Sequence, residues 1–304
     1  MRLGVADLGT NTFHLLIVDV LKDKSFKEIY RERRFIHLAE DGIKTIGTAP
    51  YQRGIEALNS FAIQMMKHRV NKFTVKGTAA LRRASNGAQF LAEVKAKTSI
   101  SIDTITGDEE AKLIYYGVRE AVQMPAEPSL IIDVGGGSVE FIIANHEKMF
   151  WAQSFPIGVA VLYKNFHHSE PISTNEIQTL KEYLDSTLAP LKKAFSNYNI
   201  KALIGASGTF DVLEKAMRIT KRNKHAAYIE FEDFVPLHDK VIAATEEERM
   251  TMSEVPLQRK KLIVVALILV KYVLDTFDLE EIVVSNFAMK EGMIRELIDN
   301  YNKS

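Results

Sequence analysis

The chain has 304 residues, 46% hydrophobic and 26% charged, enough apolar surface for two ordinary globular domains or one large one and too much for a disordered chain. Thirty-nine Lys+Arg balance 39 Asp+Glu, which excludes a protein held on a polyanion by bulk charge and leaves any anionic ligand to a local constellation. Cysteine is absent, so disulfides, thiolate metal sites and cysteine nucleophiles are excluded.

Leu3–Leu8 reads as a strand, Gly9–Thr12 as a turn, Phe13–Val20 as a second strand and Phe26–Leu38 as a third. A helix starts at Pro50, with Ile55, Leu58, Phe61, Ala62, Met65 and Met66 at helical spacing. Phe73–Val75 is a short strand, a helix follows across 86–97, and Ile102–Ile105 is another short strand. Asp108-Glu109-Glu110 opens a helix, and acids in a first turn suit its dipole. Gln123–Ser129, with Pro125 and Pro128, is a link. Strands are expected at Leu130–Val134, Val139–Ala144 and Phe150–Phe155, then helices across 158–165 and 174–195. Ala202–Ile204 is a strand that runs into a Gly-rich turn and a helix at 209–218. Residues 219–230 read as basic and irregular, with helices at 231–243 and 257–275, a strand at Glu281–Val284 and a last helix across 288–300. Alternating strands and helices make this an α/β chain. The longest apolar run, Leu262–Val270, falls far short of the ~20 residues that span a bilayer. No targeting segment is visible, so a cytoplasmic protein without a membrane partner is expected.

One internal echo organises the chain. Residues 5–17 align without a gap on residues 131–143, so Asp7 falls on Asp133, Gly9 on Gly135 and Thr12 on Ser138, at an offset of 126. Both copies read strand, Asp-x-Gly turn with hydroxyls, strand. Two related lobes follow, each giving one hairpin loop to a shared cleft. Lobe I is expected at 1–122 with a returning helix at 287–304, and lobe II at 123–286.

Each turn carries what a phosphate needs. Glycines (Gly9; Gly135, Gly136, Gly137) let backbone amides approach, and Thr10, Asn11, Thr12 and Ser138 offer polar side chains. Each turn also brings a carboxylate, Asp7 or Asp133, which would repel phosphate unless a cation lay between; Mg²⁺ or another divalent cation is expected there. A single Asp-x-Gly can be an ordinary hairpin turn, but two ungapped copies favour phosphate. A third turn, Gly205-Ala206-Ser207-Gly208-Thr209, opens a helix and is either an anion site or a plain strand-to-helix connection. Glu110 can activate water or merely complement a helix dipole. Arg82 can clamp a phosphoryl oxygen or be a surface arginine. Past the third turn, Lys215, Arg218 and Arg222 share one face if that helix continues, within a basic run ending at His225.

These motifs carry a resemblance. The two hairpins resemble the phosphate loops of the actin, sugar kinase and heat-shock ATPase superfamily. Asp7–Phe13, Gly77–Asn86, Thr106–Ala111, Ile132–Glu140, Gly205–Thr209 and Lys290-Glu291-Gly292 together resemble the Ppx/GppA phosphatases. The resemblance implies a two-lobed actin-like, ribonuclease H-like fold with an interlobe active-site cleft. It implies Glu110 as catalytic base, Arg82 as a phosphate contact, Asp133 as the metal-linked acid and Glu140 as an aid in the metal's outer shell. The implied activity is exopolyphosphatase, releasing terminal orthophosphate from inorganic polyphosphate. Guanosine pentaphosphate hydrolysis is the first alternative, and an ATPase or a non-catalytic polyphosphate or alarmone sensor the second. Expected partners are polyphosphate or guanosine pentaphosphate, no nucleic acid, and a homodimer as an allowed state.

Overall fold

The structure, a computed structural model, describes residues 1–217, 220, 221 and 223–301, and of Thr220 and Lys221 only the strand they form. Two compact units emerge, residues 1–117 with 289–304, and residues 118–288.

The first unit opens with β1 (Arg2–Leu8), β2 (Thr12–Val20) and β3 (Phe26–Phe35), an antiparallel meander. After α1 (Thr48–Lys67), β4 (Lys72–Gly77) returns parallel to β1. Then come α2 (Ala79–Arg83), α3 (Gly87–Thr98), the short β5 (Asp103–Thr104) and α4 (Gly107–Ala121), which runs past the division between units. The strand order is β3-β2-β1-β4-β5. Leu8, Phe13, Leu15 and Ile17 of the sheet pack with Ile55, Leu58 and Phe61 of α1 and Phe90 and Val94 of α3.

The second unit runs through β6 (Ser129–Val134), β7 (Val139–Ala144), β8 (Met149–Phe155), α5 (Val159–Phe166), α6 (Thr174–Thr187) and α7 (Ala189–Phe195). It continues with β9 (Ala202–Ala206), α8 (Gly208–Ala216), β10 (Thr220–Lys221), β11 (Ala226–Glu230), α9 (Phe231–Ala243) and α10 (Glu246–Thr251). A 3₁₀ turn at Leu257–Arg259, α11 (Ile263–Phe277) and β12 (Glu281–Ser285) close the unit. The last helix, α12 (Met289–Tyr301), belongs to the first unit. The second sheet has the order β10-β11-β12-β9-β6-β7-β8. β6 and β7 are buried along their whole length, which explains their largely Ile/Val/Leu/Phe sequences, broken by Asp133 and Glu140. α11 is apolar from Ile263 to Val270, where every residue is buried in the core, and turns Lys271 and Asp275 outward in an ion pair further along.

The echo is exact in register. Leu8 pairs with Phe13 and Asp7 with His14; Val134 pairs with Val139 and Asp133 with Glu140. In each sheet the first strand of the hairpin also has a parallel neighbour, β4 beside β1 and β9 beside β6.

Four local expectations change. Residues 174–195 form two helices broken at Leu188, with Pro190 in the first turn of α7, where a missing N–H costs nothing. Residues 226–230 are not irregular but a strand, paired antiparallel with β12. Helix α11 begins at Ile263, after the 3₁₀ turn set by Pro256. The helix after the third turn ends at Ala216, and Thr220–Lys221 pair as a strand. The helical face expected to join Lys215, Arg218 and Arg222 involves Arg218 and Arg222, which lie outside the described residues.

Candidate active site

In the first unit the hairpin loop Gly9–Thr12 is held by its carbonyls. The amides of Ile36 and His37 donate to Asn11 O at 2.9 and 3.1 Å, and that of Leu38 donates to Thr10 O at 2.7 Å. A trans peptide points its N–H opposite its C=O, so the amides of Asn11 and Thr12 face away from that clamp. Amides turned outward in this way can donate to an anion. Gly9 N–H closes the turn on Thr12 O at 3.0 Å, and Thr10 is buried. Beside the loop, at the end of β4, Thr78 N–H donates to Leu8 O at 3.2 Å. Arg82 N–H then donates to Thr78 O at 3.0 Å, closing the first turn of α2 on its N-cap residue.

Glu109 and Glu110, adjacent in sequence, part in the first turn of α4. Glu109 closes a reciprocal cap with Thr106: its Oε2 accepts from Thr106 N–H at 2.8 Å, and Thr106 Oγ1 accepts from Glu109 N–H at 3.2 Å. The Thr106 amide and then its hydroxyl hold the Glu109 carboxyl below the usual carboxylate range. Glu110 points inward instead, with its side chain 10% exposed and Oε2 3.8 Å from Arg82 Nη1. The same Arg82 nitrogen donates to Ile105 O, which orients the guanidinium. The structure thus brings the expected base and the expected phosphate-contacting arginine together.

In the second unit the loop Gly135–Ser138 is held in the same way by different donors. Val159 and Ala160, at the start of α5, donate their amides to Gly135 O and Gly136 O, both at 3.0 Å. The amides of Gly136 and Gly137 consequently point away. Gly158 makes this possible. A Cβ there would lie 2.3 Å from Gly136 C and 2.4 Å from Gly137 N, inside any contact distance.

The third loop is adjacent, because β9 lies parallel to β6 and Ala206 pairs with Asp133. Ser207 Oγ donates to Val134 O at 3.4 Å. Ser207 adopts φ 66°, ψ −169°, a region otherwise left to glycine and costing roughly 1–3 kcal/mol. The amides of Phe210 and Asp211 both return to Ser207 O at 3.1 Å, so those of Gly208 and Thr209 precede the first helical bond. Gly205 plays another part: it sits within β9 against the ring of Phe210. Arg259 arrives from the 3₁₀ turn, and its guanidinium rests directly on Gly208, where a Cβ would fall 1.5 Å from Nη2. Sequence reasoning gave no role to Gly158 or Arg259. Only the glycine directly before a helix, after Phe155-Pro156, hinted at the first.

Asp133 and Glu140 are direct cross-strand partners, so both carboxylates stand on one face of the sheet. Both are buried, and Glu140 Oε1 accepts from Ser154 Oγ at 2.6 Å. Two neighbouring carboxylates are a donor set that fits one hard cation with water completing its shell. Ser154 occupies part of Glu140, which suits that residue to the outer shell. In the first unit Asp7 has His14 opposite it, with His14 Nε2 3.0 Å from Thr12 Oγ1. Among the described residues no cage of three or more His, Asp or Glu side chains occurs.

Residues 16–301 match the model of the Ppx/GppA phosphatase family. The chain belongs to that family. Guanosine-5'-triphosphate,3'-diphosphate pyrophosphatases of Aeromonas hydrophila and Vibrio parahaemolyticus are 26% identical over 299 residues and 24% identical over 300. The alignments cover 97% and 98% of this chain and 59% of each relative, so the chain spans about three-fifths of the length of these curated relatives. A crystal structure of an exopolyphosphatase from Cytophaga hutchinsonii, 34% identical, superposes with a TM-score of 0.94 over 99% of this chain and 98% of its own. The Ppx/GppA family member from Aquifex aeolicus, at 23% identity, shares the fold with a TM-score of 0.82, covering 99% of this chain and 98% of that one. No helix among the described residues is long and apolar enough to cross a membrane.

Proposed function

We propose that the protein is a phosphoric anhydride hydrolase that releases terminal orthophosphate from inorganic polyphosphate. The observation that carries this reading is the buried Glu110 carboxylate at 3.8 Å from Arg82, beside a loop whose amides are turned outward. In the first unit, Arg82 and the amides of the 9–12 loop hold oxygens of the phosphate chain; in the second, the loops at 135–138 and 207–209 offer outward amides of the same kind, with Arg259 adding a positive charge at Gly208. Glu110 accepts a proton from a water molecule whose oxygen attacks the terminal phosphorus. The P–O bond to the bridging oxygen breaks, and that oxygen leaves with its electron pair on the shortened chain. Positioning and charge stabilisation supply most of the rate. Mg²⁺ or another divalent cation, held by Asp133 with Glu140 in its outer shell, neutralises phosphate charge when bound.

A second reading has its own support in the names of the relatives from Aeromonas and Vibrio: hydrolysis of the 5'-terminal phosphate of guanosine pentaphosphate. One assay separates the readings. Orthophosphate release is measured from polyphosphate, guanosine pentaphosphate and ATP side by side with the same purified protein. The highest kcat/KM is expected for polyphosphate. Preference for guanosine pentaphosphate selects the second reading, preference for ATP an ATPase, and binding without release a sensor.

A further inference from the structure

Arg249, at the end of α10, is a charged side chain with 0% exposure. Burying a guanidinium is costly unless its donors are all engaged, and an apolar side chain often fills such a place at no loss of stability. A buried charge of this kind is best explained by what it orients. Its three nitrogens each have a partner. Nη1 donates to Ala244 O at 2.6 Å, Nε to Lys260 O at 3.1 Å, and Nη2 to Glu170 Oε1 at 2.8 Å. Ala244 ends α9, and Lys260 ends the 3₁₀ turn that carries Arg259. Lys260 Nζ returns to Met250 O, so the turn is tied to α10 twice. Both ties are made at Lys260; Arg259 immediately precedes it, and its guanidinium rests on Gly208.

We propose that Arg249 is a positioning residue for phosphate binding: from the buried side it fixes the Leu257–Lys260 turn, and so sets Arg259 over the amino end of α8. This rests on the reading of the 207–209 loop as a phosphate site. Glu170 is the outer anchor. It is 30% exposed and also lies 3.2 Å from His167 Nε2. Burial, against the pull of Glu170, keeps the His167 imidazole below its ordinary pKa, so the carboxylate's charge is left to Arg249. The geometry makes a line from Glu170 through Arg249 and the Lys260 carbonyl to Arg259.

The test uses inorganic tripolyphosphate as the probe, with steady-state kinetics and calorimetric affinity on the full chain. The variants are R249M, E170Q, R259Q and R249M/R259Q, each checked for folding by circular dichroism. R259Q should weaken binding about tenfold through loss of a charge-assisted contact. R249M and E170Q should raise KM several-fold with kcat within about twofold, the pattern of lost ground-state binding. The double variant should be no weaker than R259Q alone, because both act on one contact. A merely structural role predicts a lower melting temperature and fewer active molecules, with KM unmoved. Unchanged KM in R249M and E170Q, or losses that multiply in the double variant, overturn the proposal. Should R249M fail to fold, E170Q decides, since its side chain reaches solvent. A wild type that binds tripolyphosphate without cleaving it sinks the hydrolase reading and leaves the calorimetric comparison to decide this one. A wild type that does neither overturns both.

Discussion

Glu109 and Glu110 have the same chemistry and the same helix turn, yet only one is turned inward beside Arg82. Glu109 is consumed by the cap on Thr106, which leaves the inward position beside Arg82 to its neighbour. Glu110→Gln should lower kcat by ~10²–10⁴-fold while KM stays within a few-fold, as measured by orthophosphate release under saturating substrate. Turnover near the wild-type level would remove Glu110 from the mechanism. Gly158→Ala tests the second loop. The new methyl group meets the backbone of Gly136 and Gly137, and backbone cannot swing aside. A stability loss of about 1–3 kcal/mol is expected in urea unfolding, together with a raised KM. Unaltered kinetics and midpoint would show that α5 does not hold the loop.

At the scale of elements, caps and clamps do much of the work of placing the site. Ser173 and Glu176 form a reciprocal cap at the start of α6. Burial alone would raise the Glu176 pKa, but hydrogen bonds from Ser169 and Ser173, and from the His168 amide, outweigh it and hold the carboxyl well below the usual carboxylate range. A depressed folded-state pKa stabilises fully above the unfolded value of about 4.3 and is lost as pH falls through the folded one. Glu176→Gln should therefore lower the melting temperature at pH 7, and the gap to wild type should close as the pH drops below about 4. A gap constant down to pH 2 would contradict the cap. The same local rule explains what the sequence made legible. The hairpins were readable because their strands, turn glycines and hydroxyls lie within a dozen residues of one another. α10 was missed although Thr245 and Glu248 form a similar cap, since its few residues show no apolar period. β11 was missed because Lys221 to His225 mask a strand that exists by pairing with β12, far along the chain. Arg259 lies about fifty residues from Gly208, and no spacing rule connects them.

For the molecule as a whole, zero net charge leaves the proposed grip on a phosphate chain to a few tied-down amides and guanidinium groups. A divalent cation should be required: activity should vanish in excess chelator and return with Mg²⁺, and Asp133→Asn should raise the Mg²⁺ concentration needed for half-maximal rate more than it raises KM. Full rate in chelator would end the metal assignment. The paired registers of the two hairpins also bear on counting. The repeat duplicates shape but not ionic character, since Asp133 faces a carboxylate where Asp7 faces an imidazole. A duplicated pocket with duplicated chemistry would load two equivalent ions; this one offers an oxygen-only pair once. Equilibrium dialysis with Mn²⁺, a probe that favours carboxylate oxygen, should saturate at one ion per chain and fall to none in Asp133→Asn, whereas His14→Ala should leave the stoichiometry at one.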